Sequence, residues 1–120
     1  MDNKAAKFAL IADIDTSFRN KISSMLRTNG YTVDQAKEGM QVFHMMENQK
    51  YQFVILGDRV QDMPSEEVIS LMQTEEVPIV VMQSKRNADV AKALIDLGAR
   101  KVVSKSVTNQ DILLMLEEIS

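Results

Sequence analysis

Short apolar runs alternate with amphipathic helical patterns five times along the 120 residues of this chain. The runs lie at residues 8–12, 31–33, 53–56, 79–82 and 102–103. Runs without polar alternation are typical of strands buried on both faces of a parallel sheet. Regular alternation of strand and helix predicts right-handed crossovers and helices on both faces of that sheet. Five such units are too few for a closed eight-stranded barrel, so we expect an α/β, doubly wound, five-stranded parallel sheet with five helices.

The helical patterns each place apolar residues on one face and carry terminal signals. Gly30 is expected just beyond the end of the first helix, Ser65 is expected to cap the third, and Thr108 with Asp111 resembles a capping box for the fifth. The predicted buried faces are, in chain order, Phe18, Ile22, Met25 and Leu26; Met40, Val42, Phe43 and Met46; Val68, Ile69, Leu71 and Met72; Val90, Ala91, Leu94, Ile95 and Leu97; and Ile112, Met115, Leu116 and Ile119.

Composition places the chain among ordinary globular domains and excludes several functions. It is 45% hydrophobic and 26% charged, and no linker or repeat interrupts it, so we expect one domain over residues 1–120. The absence of cysteine excludes disulfides and thiolate metal sites. No segment has the length of a signal peptide core or of a membrane span, so a cytoplasmic location without membrane contact is expected.

The net charge of −3 argues against a general nucleic-acid binder, but the charge is unevenly distributed. Residues 85–105 contain six cations and two acids, whereas the rest of the chain contains eight cations and fifteen acids. Such a basic stretch is either a solvated face or an electrostatic docking surface.

Three of the apolar runs end at residues that we expect to share one crevice. The first run is followed by Asp13, the third by Gly57, and the fifth, after Ser104, by Lys105. Ligands of open parallel sheets bind outside the carboxyl ends of the strands. The crevice should therefore hold an acid and a lysine, with a glycine in the place of a third polar group.

The spacing of several motifs resembles the receiver domain of bacterial response regulators over essentially the whole chain. Members of that family have a flavodoxin-like fold with strand order 2-1-3-4-5, which is the order expected here. The matching residues are Asp13 after the first strand, Arg19 six residues later, the Gly-Tyr-x-Val of residues 30–33, Gly98-Ala99, and Lys105 seven residues after Gly98.

The resemblance implies a phosphorylation pocket, and this chain departs from it at most chemical positions. In the family, two acids on the first strand and an aspartate after the third hold Mg²⁺, and that aspartate accepts a phosphoryl group. A Thr or Ser after the fourth strand and the lysine bind the phosphoryl oxygens. The departures are Ile14 at the second acid, Gly57 at the phosphoacceptor, Gln83 (followed by Ser84) at the Thr/Ser position, Val102 at the switch aromatic, and Ser106 at the usual proline.

Elementary chemistry predicts what these replacements do. Mg²⁺ requires several oxygen ligands in near-octahedral geometry, and Asp13 with Lys105 has a combined charge near zero. Without a carboxylate at Gly57, no acyl phosphate can form there. We therefore expect no metal, no cofactor and no enzymatic activity.

The same residues also have purely structural interpretations. Asp13 and Lys105 could be only a partly buried ion pair. Gly57 could serve a positive φ angle or a close approach. Asp58 is expected to point away from the crevice, because side chains alternate along a strand, and to be solvated or paired with Arg59.

Two main functions follow from these residues. The leading hypothesis is a pseudo-receiver that acts as a phosphorylation-independent protein-interaction module. Its docking surface would include Lys92, Arg100, Lys101 and Val102, for an acidic protein partner or for self-association through the fourth helix, fifth strand and fifth helix. The alternative is a receiver still phosphorylated on a substitute acid such as Asp58 and working as a two-component switch. A small-ligand sensor is a third hypothesis, which lacks any Gly-rich phosphate loop to support it.

Overall fold

The protein forms a doubly wound α/β sandwich, seen in a computed structural model that describes residues 7–73 and 75–119. The ends of the predicted 1–120 domain, residues 1–6 and 120, lie outside the described residues. The elements are β1 (Lys7–Ala12), α1 (Thr16–Thr28), β2 (Tyr31–Ala36), α2 (Gly39–Asn48), β3 (Phe53–Leu56), α3 (Ser65–Leu71), β4 (Ile79–Gln83), α4 (Ala88–Leu97), β5 (Lys101–Ser104) and α5 (Asn109–Ile119).

All neighbouring strands are parallel and their order is β2-β1-β3-β4-β5, which confirms the predicted fold class. The register aligns Ala12 of β1 with Leu56 of β3, and Leu56 with Val81 of β4. The carboxyl ends of the three central strands therefore meet at one edge of the sheet.

Side chains of the central strands alternate between two apolar clusters, one on each face of the sheet. Leu10, Val54 and Val81 pack in the cluster that includes residues of α2, α3 and α4. Ile11 and Ile55 pack in the cluster with residues of α1 and α5. Burial on both faces explains why these strands have continuous apolar sequences.

Helix ends follow the sequence signals in two cases and depart from them in one. Gly30 has φ of +92° one residue beyond the C-cap of α1, and the Thr108 side chain accepts a hydrogen bond from Asp111 N at the start of α5. Ser65 was expected to cap α3, but it is the first residue of that helix and its hydroxyl donates to Gly57 O at 2.6 Å. The prediction was wrong by one residue, because Pro64, with its extended backbone (φ −73°, ψ 161°), takes the N-cap position and Ser65 already lies inside the helix.

Four residues predicted to be buried are exposed instead: Met40 (63%), Leu71 (56%), Ile95 (49%) and Val90. Each belongs to α2, α3 or α4, whose contact with the sheet is a narrow stripe represented by Val42, Val68 and Leu94. Periodicity alone overestimated the width of these buried faces. None of the helices in the described ranges has the length and apolar character needed to cross a bilayer.

Candidate functional site: the carboxyl-end crevice

The last residue of β4, Gln83, lies at the same edge of the sheet as Asp13, Gly57 and Lys105, which follow β1, β3 and β5. Gly57 N donates to Ala12 O at 2.9 Å, and Lys105 N donates to Gln83 O at 2.8 Å. These backbone bonds continue the strand pairing by one residue. We call the region that they define the carboxyl-end crevice.

Asp13 and Lys105 form a short ion pair at the bottom of the crevice. Lys105 Nζ lies 2.5 Å from Asp13 Oδ2, and Asp13 is only 1% exposed. The other carboxylate oxygen accepts a hydrogen bond from Asp15 N at 3.2 Å. The Lys105 ammonium also lies 4.2 Å from the centroid of the Phe18 ring, a cation–π geometry that further restrains it. The acid is thus held from two sides.

The Asp13 side chain occupies the space beside the Cα of Gly57. A Cβ atom built on Gly57 would overlap Asp13 Oδ2 and Cγ and would lie 3.0 Å from Asp13 Cβ. Only Gly30 and Gly98, among the described glycines, have φ in the left-handed region. Close approach of a side chain, rather than a positive φ angle, is therefore what glycine provides at this position.

Asp58 points toward the crevice, which contradicts the expectation that it would turn away or pair with Arg59. Its carboxylate accepts hydrogen bonds from Ser84 N at 3.0 Å and from the Ser84 hydroxyl, and Oδ2 lies 3.4 Å from Lys105 Nζ. Arg59 Nε donates to Val60 O. The alternation rule failed because β3 ends at Leu56, two residues before Asp58.

The environment of Asp58 favours its charged form. Burial by itself would raise the pKa of this carboxyl group, but the hydrogen bonds from Ser84 and the positive charge of Lys105 outweigh burial and leave the pKa below its ordinary value. Asp58 therefore remains a carboxylate at neutral pH, although its side chain is 43% exposed.

Gln83 and Ile14 contribute no charge to the crevice. Gln83 Nε2 donates to Asn87 O at 3.3 Å, and its Oε1 accepts from Asn87 N at 3.5 Å, so this side chain closes the loop before α4. Ile14 is 44% exposed, and its backbone N donates to Arg59 O at 3.0 Å. Both residues organise loops rather than supply ligand oxygens.

The donor set of the crevice does not fit Mg²⁺. Positions Ile14 and Gly57 offer no carboxylate, and the two carboxylates present, Asp13 and Asp58, both direct an oxygen at Lys105. Their joint charge with the lysine is near −1, more negative than expected from Asp13 and Lys105 alone. Within residues 7–73 and 75–119, no cluster of three or more His, Cys, Asp or Glu side chains is placed to hold a metal ion. A Mg²⁺ ion would therefore have to displace the Lys105 ammonium from both carboxylates before it could use them as ligands.

The sequence analysis named Arg19 and Ser65 but missed the contacts that they make in the crevice, and it missed the role of Asp62. Arg19 Nη1 donates to Asp13 O at 2.7 Å, and the Ser65 hydroxyl holds Gly57 O. Asp62 accepts hydrogen bonds from Gly39 N at 2.7 Å and from Met40 N at 3.3 Å, so it caps α2 from the loop after β3. These hydrogen bonds lower the pKa of Asp62. A polar residue next to a strand end was the only available signal, and it does not specify a partner.

The residues of the predicted docking surface lie on α4 and β5. Lys92 is exposed and pairs with Asp96 at 3.4 Å, a contact of little energy at the surface. Arg100 and Lys101 are exposed where β5 begins, and Val102 is half-buried beside them. The cations therefore form a solvent-facing group, with Val102 as a partly covered apolar neighbour.

A parallel sheet with a polar crevice at its carboxyl ends, closed by a lysine after β5, defines the receiver class of doubly wound domains. The sequence model of the response regulator receiver domain family matches residues 9–117. The chain therefore belongs to this family, whose members act in two-component signalling.

Individual relatives are distant in sequence. Response regulator MprA of Mycobacterium sp. (strain KMS) is 24% identical over 106 residues, covering 87% of this chain and 46% of the relative, so the chain spans about half the length of that curated protein. A CheY-like receiver domain from Methanospirillum hungatei JF-1 superposes with a TM-score of 0.87 at 20% identity, covering 95% of this chain and 93% of that one. The beryllofluoride-activated receiver domain dimer of NtrC4 superposes with a TM-score of 0.86 at 19% identity, covering 93% of this chain and 94% of that one. These likenesses establish the fold. Receiver domains interact with other proteins, and some dimerise.

Proposed function

We propose that this receiver domain is a phosphorylation-independent protein-interaction module, a pseudo-receiver without enzymatic activity or bound cofactor that works in the cytoplasm. The main support for this proposal is the position of the Asp13 carboxylate. It fills the space in which a side chain at Gly57 would begin, and it neutralises Lys105 at 2.5 Å. A pocket packed in this way has no carboxylate at position 57, and its lysine is already paired with Asp13 before any phosphoryl group arrives.

The contacts of Asp58 support the same proposal. In the receiver family, a hydroxyl group after the fourth strand and the lysine after the fifth bind the phosphoryl oxygens. Here the Ser84 hydroxyl and Lys105 instead contact the carboxylate of Asp58. One anion of the protein thus links the loops after β3, β4 and β5 without any modification. We infer that Asp58 keeps these loops in a single arrangement that a partner can recognise at all times.

Phosphorylation independence is tested by incubating the protein with acetyl phosphate and Mg²⁺ and measuring its intact mass. The expected spectrum shows no gain of a phosphoryl group, while a receiver with the complete set of acids gains one in the same buffer. A phosphorylated species of this chain would overturn the proposal.

The alternative, a switch phosphorylated on Asp58, is favoured by one observation. Asp58 is ionised, 43% exposed and 3.4 Å from Lys105, as a phosphoacceptor near a lysine should be. Its oxygens, however, already accept hydrogen bonds from Ser84. If an adduct forms on the wild type and disappears in Asp58→Asn, the switch is the correct function.

The proposed docking surface for an acidic partner comprises Lys92, Arg100, Lys101 and Val102. Its cations are exposed, and the electrostatic attraction should be sensitive to salt. Charge reversal at Arg100 and Lys101 is expected to weaken capture of the partner, whereas reversal at Lys21 on α1, another exposed cation, should not. Unchanged binding by the double reversal would remove this surface from the proposal.

A further inference from the structure

A second surface, unconnected with the carboxyl-end crevice, has the shape of a docking groove. A cavity of about 390 Å³ lies between α2 and α3, with Met40, Phe43, Met46 and Leu71 among its lining residues. Met40 and Leu71 are the most exposed of these apolar side chains. A neighbouring cavity of about 440 Å³ shares Met46 with the first and continues toward Pro78. Together they make an elongated trough, apolar between α2 and α3 and more polar toward Pro78, which we call the α2–α3 groove. Methionine-lined grooves adapt to the side chains that enter them.

The rim of the α2–α3 groove is acidic. Glu47, Glu75 and Glu76 line the two cavities, beside one cation, Lys50. Residues 60–84, which include α3, contain five acids and no cation. All five acids are exposed. The groove therefore favours an occupant with an apolar anchor flanked by positive charges.

The chain itself carries such an element on α4. Residues 85–101 have five exposed cations and two acids. Ile95 is 49% exposed, Lys92 lies one helical turn before it, and Arg100 and Lys101 follow the end of the helix. Within one molecule α4 packs beside α3 and β5 through the buried Leu94, so it cannot turn into the groove of its own copy.

We propose that a second copy of this chain docks its α4 face, with Ile95 as the anchor, into the α2–α3 groove. The α4 face shares Lys92, Arg100 and Lys101 with the proposed docking surface, so the inference rests on that part of the proposed function and names a second copy as the acidic partner. The two surfaces are different, so the contact is head-to-tail, and a docked pair retains one free groove on one copy and one free α4 face on the other. Copies therefore add in series rather than closing as a symmetric pair. One ten-residue helix in a groove is a small interface, so assembly is weak and sensitive to salt.

Sedimentation of the full chain from micromolar to millimolar concentration tests the proposal. The weight-average mass is expected to rise beyond that of a dimer and to fall at high salt. A chain that remains monomeric throughout, or a mass that saturates at a dimer, would overturn the proposal. Neither result bears on phosphorylation, which the acetyl phosphate experiment decides separately.

Two variants test the two surfaces of this contact one at a time. Leu71→Glu alters the groove, and Ile95→Glu alters the docking helix; each is expected to weaken self-association about tenfold or more. Mixing the two variants should restore one intact contact per pair and give dimers that do not grow further. A mixture that stays monomeric contradicts the head-to-tail contact.

Leu114→Glu is the matched control, because Leu114 is 53% exposed on α5, outside both surfaces. Assembly by this variant should equal that of the wild type. Loss of assembly in Leu114→Glu would instead assign self-association to the face that includes α5. Circular dichroism melts of all three variants confirm that each is folded before its mass is compared.

Discussion

The interior of the sheet and the Asp13 side chain of the carboxyl-end crevice are equally buried but are stabilised in different ways. Leu10 and Ile55 are 0% exposed and pack among many apolar neighbours. Asp13, three residues beyond Leu10, is 1% exposed and depends on Lys105 and on one backbone N–H. A close-packed apolar interior accepts the exchange of one apolar side chain for another of similar volume. A buried charged side chain, by contrast, destabilises the protein when its partner of opposite charge is removed. The fold can therefore persist while the chemistry of the crevice changes.

The largest expected effect is that of Lys105→Met, which tests whether one crevice residue matters as much as a core residue. It leaves the Asp13 carboxylate buried without its counter-ion and should reduce the free energy of unfolding by about 3–5 kcal/mol. That cost is comparable with the roughly 2–5 kcal/mol expected for Ile55→Ala in the core. Urea denaturation measures both values.

The matched control for this prediction is the double variant Asp13→Asn with Lys105→Met, in which no charge is stranded. Most of the lost stability should return. If the single and double variants are equally destabilised, packing rather than the ion pair holds the crevice together.

Gly57→Ala is the next largest effect and probes how tightly the crevice is packed. The new methyl group would overlap the Asp13 carboxylate and force it to shift, at a cost of about 1–3 kcal/mol. Chemical denaturation of Gly57→Ala in the wild-type and Asp13→Ala backgrounds isolates the overlap. A cost that does not shrink in the Asp13→Ala background would show that the methyl group meets something else.

Ser65→Ala tests how much a loop hydrogen bond contributes to the stability of the crevice. It removes the buried hydroxyl that donates to Gly57 O at 2.6 Å and should cost about 1–2 kcal/mol. Ser70→Ala, at an exposed position on the same helix, should be nearly neutral in the same thermal melts. Equal effects of the two changes would refute the role assigned to the Ser65 hydroxyl.

Asp58→Asn should have the smallest effect on stability, below about 1 kcal/mol, because the carboxylate is partly solvated. Its folded-state pKa lies below the ordinary value of 3.8, since contacts with Ser84 and Lys105 outweigh the opposing effect of burial. The folded protein therefore gains stability above that ordinary value and loses the gain as pH falls through the lower folded pKa. Unfolding in urea at about pH 7 and about pH 3 measures the difference. Asp58→Asn should show less acid sensitivity than the wild type, and an identical pH dependence would contradict the assigned contacts.

Local sequence patterns predicted most of the scaffold. The continuous apolar strand of residues 53–56, the positive φ at Gly30 and the Thr108 cap all depend on neighbours close in the chain. Local patterns failed where the position of a side chain depends on residues far away in the chain. Ser65 donates across a loop to Gly57 rather than capping its helix. Met40 matches the helical pattern of apolar residues, but no other part of the fold covers its side chain.

The sequence by itself determined the order of strands and helices, the buried strand segments, and the residue types that stand at the carboxyl-end crevice. Only the tertiary structure decided that Asp13 fills the space beside Gly57 and that Asp58 reaches Ser84 and Lys105. The physical reason is the range of the interactions. Hydrophobic periodicity and helix caps are set within a few residues, whereas these side-chain contacts depend on where loops from strands far apart in the chain come together.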